Sequence, residues 1–447
     1  MSRVELQPIR ETPLAEALPL LESFVSPHTG IVRTVVEFLG APHEARPTSV
    51  GCALADGEPV VGAPVPRHAA GSHWNADAAR AAALGEGLER YSAMFVPEDE
   101  LVTATAGELG ESAVDPSRFA LFHPRQYAAE DFPFQPFRKG TQARWVRGFE
   151  LPSGSPVYLP ADLVYLRPPT AGKPKPLALP TSNGLACAPT LEEAVLGGLF
   201  EVIERDCFML TWYNRLSLPR LAWRLDARLA ELDRRFFAPC GLEYAAVDLS
   251  VFFDVPVVLG VARERAAAPS LLGVGAGCAL TVEEAWRKAM NECFGVTRWV
   301  QDKLVEEPDR RPRLPSEIRE FDDHILFYTD PDTIAYAAFL DGSDVVRAPA
   351  AIAPVEGANI KEQVEALCRR LERRGASAYA VDVTSPDVRS TGLRVVRVLA
   401  PELCSLDVLG FARHLGGRRM YHAAHEAGLV ARPLRDEELN PHPHPFP

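Results

Sequence analysis

Several familiar signatures are missing from this sequence, and each absence closes a class of function. No Gly-x-x-x-x-Gly-Lys-Ser/Thr occurs, so a P-loop has no support, and Gly273, Gly275 and Gly277 in GVGAGCALT fall short of the dinucleotide fingerprint. Gly-x-Ser-x-Gly is also absent, which removes the esterase elbow. The eight cysteines form neither C-x-x-C nor a zinc spacing, and are expected as reduced, mostly buried thiols of a cytoplasmic protein. His422-Ala-Ala-His425-Glu426 lacks the H-E-x-x-H spacing and reads as a helix-surface pair rather than a zinc site. No apolar run approaches a membrane span, and the opening MSRVELQPIRETPLAEALPL is too polar for a signal peptide. Basic excess is lacking too: 47 Lys and Arg stand against 60 Asp and Glu, a net charge of −13, which argues against a nucleic-acid surface.

What is present is repetition. The stretch 190–206, TLEEAVLGGLFEVIERD, reads as a helix opened by Thr190 and Glu193 in capping-box spacing, with Ala194, Leu196, Leu199, Val202 and Ile203 on an apolar face. Glu201 and Glu204 then lie one turn apart, and Arg205 follows. Alone, such a pattern is an ordinary solvated helix edge. It recurs, however. Asn75 stands eleven residues before Glu86, followed by Glu89 and Arg90; Thr281 stands eleven before Glu292. All three copies carry alanine at the fifth position (Ala79, Ala194, Ala285), and Gly184 and Cys187 align with Gly275 and Cys278. The third copy has Gly295 and Val296 in place of the second glutamate and the arginine.

With 447 residues and 47% hydrophobic content the chain can bury a large core and exceeds one typical domain. The pattern predicts helices at 14–24, 75–95, 190–213, 225–236, 281–301 and 361–374. Strands are predicted at 31–39, 143–151, 157–165, 243–249, 256–262, 271–279, 378–383 and 395–399, with strand pieces on either side of Asp56-Gly57. Glycine-led strands feeding capped helices make this a mixed α/β (α+β) chain built from internal repeats. The expected division is a small N-terminal portion (1–45), a catalytic unit (46–430) and a proline-rich tail (431–447).

Carboxylates in several copies suit hard cations, and magnesium held by carboxylates commonly shares its sphere with nucleotide phosphates. Phosphoryl transfer needs alignment and charge neutralisation, which magnesium and arginine supply without a covalent nucleophile. A glycosidase also uses paired carboxylates, but needs only two. The tail, NPHPHPFP, has proline at 441, 443, 445 and 447. Proline fixes φ and removes a donor, so the arm should be extended and stiff, able to hold the α-carboxylate of Pro447 in one place as a base or an anchor. The plainer reading is a disordered end or an adaptor ligand.

Together, TSNGLACAPTLEEAVLGGLFEVIERD (181–206), ALGEGLERYSAMF (83–95), the repeat at 275–292 and the P-x-P-x-P end resemble the YcaO family, most closely its azoline-forming cyclodehydratases of ribosomal peptide natural-product pathways. The resemblance covers most of the chain. It implies a YcaO-type fold with its own ATP site, in which Glu86, Glu89, Glu201 and Glu204 coordinate Mg2+ around ATP. Glu193 is either a further metal ligand or only the capping partner of Thr190. Arg90 and Arg205 are expected at the phosphates or as orienters of the glutamates, and Glu292 holds the corresponding place in the third repeat. Pro447 is the expected catalytic terminus. The reaction implied is closure of Cys, Ser or Thr of a precursor peptide onto the preceding amide, giving thiazoline or (methyl)oxazoline.

Thioamide or amidine formation, and a degenerate scaffold that does not turn over ATP, are the competing expectations. Departures from the family pattern at Ala82, Pro189 and Gly295 motivate the second of these. Expected partners are the precursor peptide, a separate E1-like or leader-peptide-binding protein and a flavin-dependent dehydrogenase, with homodimerisation a further expectation.

Overall fold

In the computed structural model, residues 3–40, 44–62, 64–167, 175–264 and 270–446 are described. The chain separates into two compact units, neither continuous in sequence. The first comprises 1–38, 48–202 and 356–403; the second comprises 39–47, 203–355 and 404–447. This does not follow the division at 45 and 430, because both chain ends are woven into a unit rather than appended to one.

In the first unit, strands Val32–Phe38, Thr48–Leu54 and His68–His73 form an antiparallel sheet. Helix α1 (Ala76–Met94) packs on its last two strands. Asn75 starts α1 by accepting the Ala78 N–H at 3.1 Å. Gly71 allows the close approach, since a Cβ there would lie 2.4 Å from the Ala79 carbonyl oxygen. A second antiparallel sheet runs in the order Val102–Thr105, Gln142–Leu151, Ala378–Asp382, Arg394–Leu399, Leu185–Ala188, with Pro156–Pro160 also pairing on Gln142–Leu151. Helix α2 (Leu191–Tyr213) starts here, and its residues from Ile203 on belong to the second unit. One core of Leu84, Leu88, Val146, Leu159, Val381 and Val395, among others, joins these layers.

The second unit is built on a sheet ordered Leu271–Cys278, Val257–Glu264, Glu243–Asp248, Arg220–Leu221, Val346–Arg347. The first two strands, LLGVGAGC and VVLGVARE, are near-continuous apolar runs, as strands covered on both faces must be. Helix α3 (Val282–Glu306) is capped by Thr281 and packs across both. Gly275 plays the part of Gly71: its Cβ would lie 2.4 Å from the Cys293 nitrogen and 2.6 Å from the Glu292 Cβ.

The expected elements differ from the fold in several places, and strands Val102–Thr105, Leu185–Ala188, Arg220–Leu221 and Val346–Arg347 are additions to them. After Asp56-Gly57 the chain forms a short helix, Glu58–Val61, because Gly57 and Pro59 favour a helical start over a second strand piece. The strand expected to Tyr165 stops at Pro160 and turns into the helix Ala161–Val164. Strand His68–His73 was not expected: HAAGSH has no β-branched residue, and only pairing with Thr48–Leu54 makes it one. All eight cysteines are free and seven are buried. Among the described residues no helix is long and apolar enough to cross a membrane.

Candidate functional site

In the first unit, α1 carries Glu86, Glu89 and Arg90, and presents Glu86 and Arg90 toward strand His68–His73. The Ala70 N–H donates to Glu86 Oε2 at 2.7 Å, while Arg90 Nη2 lies 2.6 Å from Glu86 Oε1 and its Nη1 donates to the His68 carbonyl at 2.9 Å. Arg90 is thus held between Glu86 and the His68 carbonyl. Glu89, half-buried on the next turn, has its carboxyl pushed well above the usual carboxylate range by burial, then by the charges of Glu201 and Glu86; Arg90 and Arg397 act the other way. Burial and Glu89 likewise push the nearby Cys187 thiol up.

Arg397 was not legible as a site residue. It lies in strand Arg394–Leu399, 2% exposed, and its Nε donates to the Val164 carbonyl at 3.0 Å. Its two terminal nitrogens donate to the carbonyls of Asn183 and Thr181. Burial pulls the guanidinium down to about 10, opposed by Glu201 and Glu89.

Glu193 makes the capping contacts. Thr190 Oγ1 donates to its Oε2 at 2.7 Å, its own N–H donates to Thr190 Oγ1 at 3.2 Å, and Thr12 reaches both carboxylate oxygens through its N–H and hydroxyl. Both oxygens are thus engaged in fixing the start of α2 and the N-terminal segment.

In the second unit, Glu204 is 8% exposed; its Oε2 accepts the Cys278 N–H at 2.9 Å and its Oε1 lies 3.3 Å from Arg205 Nη1. Glu292 Oε2 accepts the Ala276 N–H at 2.7 Å. This repeats the Glu86 tether: in both copies the acceptor carboxylate lies sixteen residues after the donor amide. Lys288, one turn before Glu292 on α3, directs Nζ to the Cys278 carbonyl at 3.3 Å, a cation that the sequence pattern did not flag. Asp206 beside Arg205 is fully buried against Arg419 Nε and the Cys404 N–H, a structural pair.

The tail is seated, not loose. Asn440 N–H donates to the Tyr213 carbonyl, Trp212 Nε1 to the His442 carbonyl at 3.1 Å, and Tyr328 Oη to the Pro443 carbonyl. His444 stacks on His324 at 4.0 Å, and its Nε2 contacts the Asp407 carbonyl oxygen at 2.8 Å. Phe446 is completely buried, 4.7 Å from the Phe208 ring centroid, with the Arg205 guanidinium 4.3 Å over its face. Pro447, the expected catalytic terminus, lies outside the described residues.

Among the described residues no three His, Cys, Asp or Glu side chains converge as a ready-made metal site. Magnesium shared with phosphates takes only one or two carboxylates per ion and draws its other oxygens from water and nucleotide. The surroundings of half-buried Glu89, whose carboxyl is pushed up by burial and then by the charges of Glu201 and Glu86, fit a hard divalent cation. His422 and His425 sit on helix Arg418–Glu426 with no part in these clusters.

Comparison with known proteins follows the same lines. The sequence profile described as YcaO cyclodehydratase, ATP- and Mg2+-binding, matches residues 70–404. An uncharacterized protein of Methanothermobacter thermautotrophicus is 28% identical over 356 residues, 76% of this chain and 82% of that one. A heterocyclase solved in complex with substrate and cofactor superposes with a TM-score of 0.83 at 24% identity, covering all of this chain and 59% of the heterocyclase. The YcaO protein of Methanopyrus kandleri, bound with AMPPCP and Mg2+, gives 0.62 at 20% identity over 90% of this chain and 93% of that protein. The chain thus spans well under two thirds of that heterocyclase.

Proposed function

Since the chain belongs to the YcaO family, we propose that it is an ATP- and magnesium-dependent cyclodehydratase, closing Cys, Ser or Thr residues of a ribosomal precursor peptide into thiazoline or (methyl)oxazoline rings. The observation that carries this reading is the pair of tethered glutamates. Glu86 and Glu292 are held by the same backbone bond in two repeats, each with a cation one turn away.

Glu86, Glu89, Glu201 and Glu204 would hold Mg2+, with Glu292, Arg90 and Arg205 completing the nucleotide site. Arg90 acts by orienting Glu86, and Glu193 acts by fixing the start of α2. When bound, ATP supplies the phosphoryl group that turns an amide oxygen into a leaving group. In the peptide, the thiol or hydroxyl attacks the preceding carbonyl carbon and its oxygen becomes the oxyanion that is phosphorylated. Departure of that oxygen as phosphate, with loss of the amide proton, forms the C=N bond of the azoline. The α-carboxylate of Pro447 would act as the proton acceptor, a role that the seating of residues 440–446 supports. A leader-binding partner protein would present the peptide, and a flavin-dependent dehydrogenase would act on the finished ring.

The test is the mass of a Cys/Ser/Thr-rich precursor peptide after incubation with the protein, its partner, ATP and Mg2+. Loss of one water per modified residue, with matching phosphate release, is expected, and Glu201→Gln should abolish it. Exchange of oxygen for sulfur would establish thioamide formation instead. Unchanged yield with Glu201→Gln would remove the metal-ligand assignment.

A further inference from the structure

Arg397 occupies a position that packing alone would give to an aliphatic residue. Its neighbours in RVVRVL, Val395, Val396 and Val398, are fully buried, and Arg397 is scarcely less so. Taking a guanidinium out of water costs several kcal/mol, and neutral carbonyls repay only part of that. The acceptors here are the carbonyls of Val164, Thr181 and Asn183, all neutral. The carboxylates whose charge acts on it are Glu201 and Glu89, on two different helices. One side chain therefore grips the segment leading into strand Leu185–Ala188 and α2, from a strand on which α1 also packs, within electrostatic reach of the carboxylates that α1 and α2 contribute.

We propose that Arg397 is a positioning residue for the metal site: it locks Thr181–Asn183 against strand Arg394–Leu399 and presents a fixed positive charge to Glu89 and Glu201, holding those carboxylates in place before Mg2+ arrives. This rests on the reading of those glutamates as magnesium ligands. Two effects oppose each other. The standing charge repels a divalent cation, but without it two carboxylates that repel each other splay apart and three carbonyls lose their donor. Outer-shell partners of metal ligands commonly change affinity by about 10–100-fold when removed, so the organising effect should win.

The experiment is a calorimetric titration of the full chain with Mg2+ and AMPPCP, with melting followed in parallel, for wild type, Arg397→Lys and Arg397→Met. The neutral variant should bind Mg2+·AMPPCP about tenfold more weakly. The lysine variant, which keeps the charge but loses the fork, should recover most of that loss while melting below wild type. Where Arg397→Met does not fold, Arg397→Gln, which retains an amide donor, is read in the same way. Binding by a folded neutral variant as tight as wild type or tighter would overturn the proposal, as would a lysine variant as weak as the neutral one. Failure of the wild type itself to bind Mg2+·AMPPCP would instead overturn the magnesium reading, so the two failures are distinguishable.

Discussion

Replacing Phe446 by alanine isolates what the seated tail contributes. The phenyl ring is completely buried between Phe208 and the Arg205 guanidinium. Burying such a side chain is worth roughly 1.5–3 kcal/mol. A desolvated cation–π contact adds about 1–2 kcal/mol, and the aromatic pair about 0.5–1.5 kcal/mol. These overlap, so a total of about 3–5 kcal/mol, the usual cost of a buried Phe→Ala change, is the better figure. The loss falls on a chain end. Residues 440–444 keep the bonds from Trp212 and Tyr328 and the stacking of His444 on His324. The variant should therefore undock its last residues rather than unfold its unit, with melting lowered by only a few °C. On the proposed role of the tail, undocking should lower the rate of ring formation at least tenfold, and Phe446→Leu, which keeps an apolar side chain but not the cation–π contact, should fall between. The assay is product mass against time at saturating peptide and ATP, beside a melting curve. Ring formation within twofold of wild type for Phe446→Ala would refute the argument that tail seating serves catalysis.

The remaining predictions concern the carboxylates and the close-packed glycines. Glu89→Gln removes a carboxyl whose folded-state pKa is raised by burial and by Glu201 and Glu86, so the ionised form penalises the fold. At pH below the ordinary glutamate range the variant and wild type should melt alike. The variant's advantage should grow as pH rises from there through the raised Glu89 value and then level off, and a pH-independent difference in magnesium-free melting would contradict it. Gly275→Ala forces a Cβ to 2.4 Å from the Cys293 nitrogen and 2.6 Å from the Glu292 Cβ, neither of which can swing away. It should cost at least about 1–3 kcal/mol by overpacking, displace Glu292 and weaken AMPPCP binding in calorimetry; unchanged binding would detach Glu292 from the nucleotide site. Arg205→Lys loses the planar face over Phe446, and should release the tail to carboxypeptidase digestion while leaving the Glu204–Cys278 tether intact.

The helices that bear the glutamates were legible because their signals are local. Asn75 and Thr281 cap where the eleven-residue offset puts them, and the Thr190–Glu193 pair forms at the start of α2. Strands such as Leu271–Cys278 were legible because burial on both faces writes a continuous apolar run. What could not be read depends on partners distant in sequence. HAAGSH becomes a strand only through its neighbour, and its one structural reason for glycine, the approach of Ala79, lies in the next helix. The donors that Thr12 brings to Glu193 come from a residue 181 positions away in sequence. Arg397 is the clearest case. An arginine in a short run of valines reads as an edge position facing solvent, the common place for a charge in a strand. Only the sheet order, which puts Arg394–Leu399 between Ala378–Asp382 and Leu185–Ala188, shows that no edge is there and that the charge must be answered from within. The answer comes from carbonyls of 164, 181 and 183 and from glutamates of two helices, five positions scattered over more than a hundred residues. A motif records the residues that bind; the residue that holds them ready can stand anywhere the fold brings near.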